Sequence, residues 1–321
     1  MILSVSRRTD IPAFYTDWLF NRLRAGFVCV RNPVNPRKIS KLQLSPDVVD
    51  GIVFWTKNPI PMLPRLQELN RYAYYVQFTL TPYGKDIEPN LPVKLKLMSA
   101  FRRLSDQIGP ERVVWRYDPI LVNASWTPQA HLRAFSTMAG ALAGATRRVV
   151  ISFVDTQYRN CRRNAGALAV QELTARERLS LAAGLAQIAR SHGMEMCACA
   201  ESLDLSACGV MPSHCIDPSL LEAQLGCRLP VAADPHQRPG CGCAQSVDIG
   251  AYNTCENGCR YCYANYHAGE IQKNRALHNP LSPLLIGEIG AHETVTERFL
   301  LPCRDGQLRL PLDCAGYRGA C

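Results

Sequence analysis

Short apolar segments of β-strand type recur along the first two thirds of the chain, and helix-like segments separate several of them. The predicted strands are 2–6, 26–30, 51–56, 72–80, 113–117, 148–154 and 195–200, and the predicted helices are 15–25, 91–108, 127–145 and 173–191. Strands and helices that alternate at this spacing form βαβ units, which build a mainly parallel sheet. The pattern therefore predicts an α/β fold, either a (β/α) barrel or a partial barrel.

Polar and charged residues follow several of the predicted strands, at the point where each strand ends. The carboxyl ends of parallel strands meet at one edge of a sheet, and ligands bind at that edge. We therefore predict a ligand-binding rim at these positions: Arg7, Arg8, Asp10, Lys57, Asn58, Gln77, Thr79, Arg116, Asp118, Asp155 and Glu201. At any single position the alternative is a polar cap on the helix that follows. Trp55, Trp115 and Tyr117 lie near the same strand ends and either line a pocket or belong to the core.

The composition of the 321-residue chain is that of a globular protein, with 47% hydrophobic and 20% charged residues. No apolar run is long enough to span a bilayer, so we expect no membrane association. The amino-terminal sequence MILSVSRRTD lacks the features of a secretory signal, and we therefore expect a cytoplasmic protein. A reducing compartment leaves the 15 cysteines as thiols. Metal or cluster ligation, together with ordinary burial, is then the natural explanation for them.

The formal net charge of +9 permits an anionic or nucleic-acid partner, but the basic residues are spread along the whole chain. No helix-turn-helix or aromatic RNA-binding signature is present. The substrate class therefore stays open between a small molecule, a peptide and a nucleic acid, and the oligomeric state stays open as well.

Three cysteines, Cys255, Cys259 and Cys262, lie close together in the segment YNTCENGCRYCYAN, which follows a short predicted strand at 246–249. Gly258 allows a sharp turn between them. Structural zinc normally takes four protein ligands, whereas a four-iron cluster held by three cysteines leaves one iron open for another ligand. The spacing therefore favours an iron–sulfur cluster with an open position, and the neighbouring Tyr261 could stack on a planar ligand there.

The pattern Cys-x3-Cys-x-aromatic-Cys resembles the signature of the radical S-adenosylmethionine (SAM) enzymes. The resemblance implies that Cys255, Cys259 and Cys262 hold a [4Fe-4S] cluster and that Tyr261 lies near the adenine of SAM. It also implies reductive cleavage of SAM to a 5′-deoxyadenosyl radical, with a reductant such as ferredoxin or flavodoxin. The rim offers charged and hydrogen-bonding groups for the cofactor's carboxylate, ammonium and hydroxyl groups, namely Arg7, Arg8, Asp10, Lys57, Asn58, Arg116 and Asp118.

In that family the cysteine loop usually follows the first strand, whereas here it follows a late one. A circularly permuted barrel would reconcile the two, because a late strand can lie beside the strand that starts the chain. The arrangement, together with the segments SRRTDIPAFY, VVDGIVFWTKNP and SVDIGAYNTC, resembles the bacterial DUF1848 family. We accordingly divide the chain into a barrel core (1–202), a cysteine-rich region that completes the barrel (203–268) and a carboxyl-terminal appendage (269–321).

The remaining cysteines leave two further possibilities open. Cys241 and Cys243 could form a second metal centre with Cys199 and Cys215, although Cys199 could equally be a buried apolar residue like Cys197. Alternatively, the loop could recruit Cys243 or His267 to a zinc site. The chain would then be a metal-stabilised nucleic-acid-binding protein without radical chemistry. We expect Cys29 and Cys161 to be isolated packing or surface residues, and Cys303, Cys314 and Cys321 to be too scattered to bind the same centre.

Overall fold

The computed structural model describes residues 1–238 and 240–305, which contain eleven strands and nine α-helices. The strands are β1 (Ile2–Val5), β2 (Phe27–Arg31), β3 (Lys38–Gln43), β4 (Gly51–Thr56), β5 (Tyr74–Thr79), β6 (Val113–Ile120), β7 (Arg148–Phe153), β8 (Glu195–Cys199), β9 (Met211–Ser213), β10 (Val247–Asp248) and β11 (Thr294–Arg298). The helices are α1 (Ile11–Phe14), α2 (Thr16–Ala25), α3 (Lys94–Ile108), α4 (Pro128–Leu142), α5 (Arg159–Arg163), α6 (Ala165–Leu168), α7 (Ala175–Ser191), α8 (Pro218–Leu225) and α9 (Ala268–Ala276).

Eight strands form one sheet in the order β10-β1-β4-β5-β6-β7-β8-β9, and every neighbouring pair is parallel. The predicted α/β fold with a mainly parallel sheet is therefore confirmed. Within residues 1–238 and 240–305, β10 and β9 lie at the two ends of this order. The sheet is thus consistent with a partial barrel. The late strand β10 pairs with the first strand β1, with Leu3 opposite Val247 and Ser4 opposite Asp248.

The long helices cover one face of this sheet. Successive strand residues point to opposite faces, so Leu3, Phe54 and Trp115 pack in one cluster with Trp18 of α2 and Phe135 of α4. The helices begin where the sequence supplies caps. Thr127 accepts a hydrogen bond from Ala130, and Thr174 forms a reciprocal capping box with Glu177.

The cysteine-rich segment after β9 covers the opposite face. Ile2, Val53 and Tyr75 of the sheet pack there against Ile216 and Leu221. Close packing of α8 explains a glycine in β4, because a Cβ at Gly51 would lie 2.5 Å from Cδ1 of Leu221. The segment after β9 therefore forms part of the core.

A smaller sheet holds the remaining strands in the order β11-β3-β2, with β2 antiparallel to β3 and β11 parallel to it. The predicted strand at 26–30 exists, but its place among the βαβ strands of the main sheet is wrong. The reason is the short connection between β2 and β3, which allows an antiparallel hairpin but no helical crossover. Within the part of the chain that the structure describes, no helix is both long and apolar enough to cross a membrane.

Candidate functional site

The three-cysteine loop starts at the carboxyl end of β10, where Asp248 joins it to β1. The Asp248 carboxylate accepts hydrogen bonds from Ser4 Oγ at 2.6 Å, Ser6 Oγ at 2.7 Å and the backbone N–H of Arg7 at 2.8 Å. It also accepts the N–H of Gly250 at 2.9 Å. A Cβ at Gly250 would lie 2.0 Å from Ser6 Oγ, so only glycine fits at this crossing.

The loop buries Cys255 and Cys259 and leaves Cys262 half-buried. Asn265 links two of these residues, because its Oδ1 accepts from the backbone of Cys255 at 3.2 Å and its Nδ2 donates to Cys262 Sγ at 3.6 Å. Burial is the largest effect on the thiols: it raises the pKa of Cys255, and it raises the pKa of Cys259 to about 12. The charge of Asp10 raises the pKa of Cys255 further, as do those of Cys262 and Cys259.

Two other segments hold the loop in place. From the β5–α3 connection, Asn90 Nδ2 donates to the carbonyl of Glu256 at 2.7 Å, and Ile87 accepts the N–H of Arg260 at 3.0 Å. Next to α5, Asn164 Nδ2 donates to the carbonyl of Arg260 at 2.8 Å. The turn itself needs glycine: Gly258 has a φ of +70°, and a Cβ there would lie 3.0 Å from Asn90 Nδ2.

A buried ionic network lies against the loop. Lys57 Nζ donates to Glu88 Oε1 and to Tyr261 Oη, both at 2.8 Å. Tyr261 also donates to Glu88, and Lys94 donates to the second oxygen of the same carboxylate. Burial alone would raise the pKa of Glu88, but the two lysines outweigh it and hold that pKa at about 2. Burial alone would lower the pKa of Lys57, but Glu88 and Cys259 outweigh it and raise that pKa.

Sequence reasoning selected Lys57 and Tyr261 but missed Glu88. The signal that could have found it is the charged segment GKDIEPN, which follows β5 as the selected rim residues follow their own strands. Because the side chain of Glu88 is fully buried, its charge requires both lysines.

Two predicted rim residues at the start of the chain surround the base of the loop. The Arg7 guanidinium lies 5.9 Å from the centre of the Trp55 ring and 3.9 Å from Asp234. The Arg8 guanidinium lies 5.2 Å from the centre of the exposed Tyr252 ring. Both arginines therefore stand beside the loop with partly accessible side chains.

Asp10 links the start of α1 to the end of β4 and to the three-cysteine loop. It caps α1, and its Oδ2 accepts the N–H of Lys57 at 2.7 Å and the side-chain amide of Asn257 at 3.1 Å. Burial raises the pKa of Asp10. Asn58, the residue after Lys57, accepts the N–H of Ile60 at 3.3 Å within a turn.

On β6, Arg116 forms a two-pronged ion pair with Asp118, which in turn accepts the hydroxyl of Ser152. The remaining nitrogen of Arg116, Nη1, lies 2.8 Å from Cys215 Sγ. Trp115 and Tyr117 flank Arg116 in sequence but point to the opposite face, where both are fully buried. They belong to the core, so their alternative reading as pocket residues is wrong.

Other predicted rim residues lie apart from the loop. Gln77 is buried on β5 and donates to the carbonyl of Cys215 at 2.9 Å, and Thr79 ends the same strand half-exposed. Glu201 accepts the N–H of Phe153 at 2.8 Å and lines a cavity of about 280 Å³ beyond β8. Asp155 lies 3.9 Å from Arg238 at the surface.

The predicted second group of cysteines is brought together on the face of the sheet that the segment after β9 covers. Cys199 Sγ and Cys215 Sγ lie 2.9 Å apart, and Cys243 Sγ accepts the N–H of Ile216 at 3.5 Å. Hydrogen bonds with Cys215 raise the pKa of Cys199 and of Cys243, and the same bonds, with Arg116, lower the pKa of Cys215. Cys241 is half-buried and its charge raises the pKa of Cys243 further.

The cysteines outside these two groups differ in position, and Cys161 packs against the three-cysteine loop. Cys29 is buried in a small cluster with Ile39, and Cys161 Sγ lies 3.3 Å from the carbonyl of Tyr261. Cys303 lies near Asp50, whereas Cys314 and Cys321 fall outside the described residues. Among residues 1–238 and 240–305, no three His, Cys, Asp or Glu side chains are arranged as they stand to hold a metal ion.

The model of a family described as a domain of unknown function, DUF1848, matches residues 2–264. The chain belongs to the DUF1848 family. The DUF1848 match covers the whole eight-stranded sheet and ends two residues after Cys262, so it includes all three cysteines of the loop. Comparison with curated proteins and with solved structures gives no match.

Proposed function

We propose that this protein is a radical SAM enzyme that holds a [4Fe-4S] cluster with Cys255, Cys259 and Cys262. The observation that carries the proposal is the position of the loop, which follows an end strand of the parallel sheet at its carboxyl edge. The family that the motif resembles has its loop after the first barrel strand. The parallel pairing of β10 with β1 supports the proposal, because a permuted chain order would give the same spatial arrangement.

The residues of the loop fit such a cluster. A cube-shaped cluster binds each thiolate at a different iron, so its three cysteines need not converge on one point. Metal binding displaces the thiol protons that burial otherwise retains. Asn265 donates a hydrogen bond to Cys262 Sγ, and the Lys57 and Lys94 cations favour the thiolate of Cys259. The surroundings therefore offset the negative charge that thiolate ligands bring.

With cluster and SAM bound, one electron from a ferredoxin or flavodoxin would cleave SAM to methionine and a 5′-deoxyadenosyl radical, which takes a hydrogen atom from the substrate. The residues of this chain have positioning roles. Lys57 and Glu88 hold the hydroxyl of Tyr261, whose side chain packs in one cluster with Cys259 and Cys262. Arg7 and Arg8 present cations at the base of the loop, where they suit a carboxylate.

The test is SAM cleavage by protein reconstituted with iron and sulfide under anaerobic conditions and reduced with a low-potential donor. We expect wild-type protein to form 5′-deoxyadenosine slowly without substrate, and we expect Cys259→Ala to lose both the product and the iron of the loop. Cys29→Ala is the matched control, because Cys29 is equally buried but remote from the loop. If iron-loaded wild type binds SAM and yields no 5′-deoxyadenosine, the radical chemistry is refuted.

A further inference from the structure

A second group of thiols lies inside the fold, apart from the three-cysteine loop. Cys199 ends β8, Cys215 follows β9, and Cys241 and Cys243 precede β10. Three of the four are nearly inaccessible, with exposed fractions of 6% for Cys199, 9% for Cys215 and 1% for Cys243. These three residues, up to 44 positions apart in sequence, belong to one buried cluster.

The four side chains pack in one cluster. The Sγ atoms of Cys199 and Cys215 lie 2.9 Å apart, and Cys243 is buried in the same cluster. Cys241, one residue before Gly242, is partly buried and packs against the cluster. Buried cysteines that serve only as small apolar residues are not expected to cluster with one another.

The surroundings of the sulfurs match those of thiolate ligands. Arg116 Nη1 lies 2.8 Å from Cys215 Sγ, and the N–H of Ile216 points at Cys243 Sγ at 3.5 Å. Four thiolates on a divalent ion carry an excess of negative charge, which a buried guanidinium and N–H donors offset. Tyr75 and Gln77 donate to the carbonyl of Cys215 at 2.7 and 2.9 Å, so the sheet holds this ligand segment firmly.

We propose that Cys199, Cys215, Cys241 and Cys243 bind a second metal centre, a single tetrahedral ion of the zinc type. Zinc takes four sulfurs at about 2.3 Å, which places neighbouring sulfurs roughly 3.8 Å apart. The 2.9 Å separation of Cys199 and Cys215 is shorter than this spacing. Metal binding displaces the thiol protons, and a small outward turn of the two side chains gives the tetrahedral spacing. A cube would require the sulfurs to lie much farther apart.

The centre is expected to be structural. Four protein ligands close the coordination shell of zinc, and burial leaves no open position for a substrate. The ion would connect the end of β8 to the segment that leads into β10, and so to the strand that carries the three-cysteine loop. This inference does not depend on a cluster or on SAM chemistry at that loop.

The experiment measures zinc, iron and sulfide per chain in full-length protein prepared with both metals. We expect about one zinc in wild type and at least tenfold less in Cys215→Ala and Cys243→Ala. Cys197→Ala is the matched control, because Cys197 is buried on the same strand and face as Cys199 but belongs to no thiol pair. Cys259→Ala should keep its zinc, which separates this proposal from the function of the loop.

Two results would overturn the proposal. One is an unchanged zinc content in Cys215→Ala. The other is loss of four irons and four sulfides, rather than zinc, from that variant. If Cys215→Ala does not fold, wild-type protein is titrated with a mercurial in the presence of a chromogenic zinc chelator. Release of one zinc per chain as four thiols react supports the site, and absence of zinc release refutes it.

Discussion

Glu88 provides the strongest test of the electrostatics beside the loop. Its side chain is fully buried between Lys57 and Lys94, and its pKa is about 2 instead of the ordinary 4.5. A carboxyl with a lowered pKa stabilises the folded state above its unfolded pKa, and this contribution disappears as the pH falls through the folded pKa. The difference corresponds to about 3 kcal/mol of unfolding free energy, present above pH 4.5 and lost between about pH 4.5 and pH 2.

We therefore expect Glu88→Gln to destabilise metal-free, reduced protein by about 3 kcal/mol at pH 7, and the difference from wild type to vanish near pH 2. Urea unfolding followed by tryptophan fluorescence at a series of pH values measures this difference. Glu68→Gln is the control, because Glu68 pairs with Arg65 at the surface and should contribute less than about 1 kcal/mol. A destabilisation by Glu88→Gln that is the same at pH 7 and near pH 2 would refute the reasoning.

Two further substitutions test the loop. Gly258→Ala forces a side chain onto a backbone with positive φ and into contact with Asn90. We therefore expect the iron content of reconstituted protein to fall at least twofold. Gly269→Ala is the control and should leave the iron content unchanged, because a Cβ there meets nothing within 4 Å. Equal iron in the two variants would contradict a strained turn. Tyr261→Phe keeps the ring but removes the hydroxyl bonded to Lys57 and Glu88, so we expect about 1 kcal/mol less stability in urea unfolding with full iron content. A loss of iron as large as that of Cys259→Ala would show that Tyr261 acts on the cluster itself.

Much of the fold follows from short-range patterns. Apolar strands and amphipathic helices give periodic patterns within short sequence windows. For this reason the parallel α/β sheet and the four long helices were predictable. The same applies to the helix start at Thr127, where the cap and Pro128 are adjacent in the chain. The spacing of Cys255, Cys259 and Cys262 is local too, so the candidate loop could be identified from the sequence alone.

The contacts between these elements were harder to predict from the sequence. The strand at 27–31 looks like its neighbours in sequence, and only its hairpin with β3 removes it from the main sheet. Trp115 and Tyr117 alternate with Arg116, so the register of β6 decides that the two rings enter the core while the guanidinium meets Cys215. A strand pattern defines two faces but does not say what covers each of them.

The spacing of the cysteines and the polar strand ends were determined by the sequence alone, because both are properties of neighbouring residues. Tertiary structure alone decided which distant groups meet. Glu88 and Tyr261 are 173 positions apart, and they bond because the β5–α3 connection folds over a loop that leaves β10. Cys199 and Cys215 touch for a similar reason, since the segment after β9 turns back across the sheet. Such contacts depend on the order of strands in the sheet and on the path of the connections, and neither leaves a periodic signal in the chain.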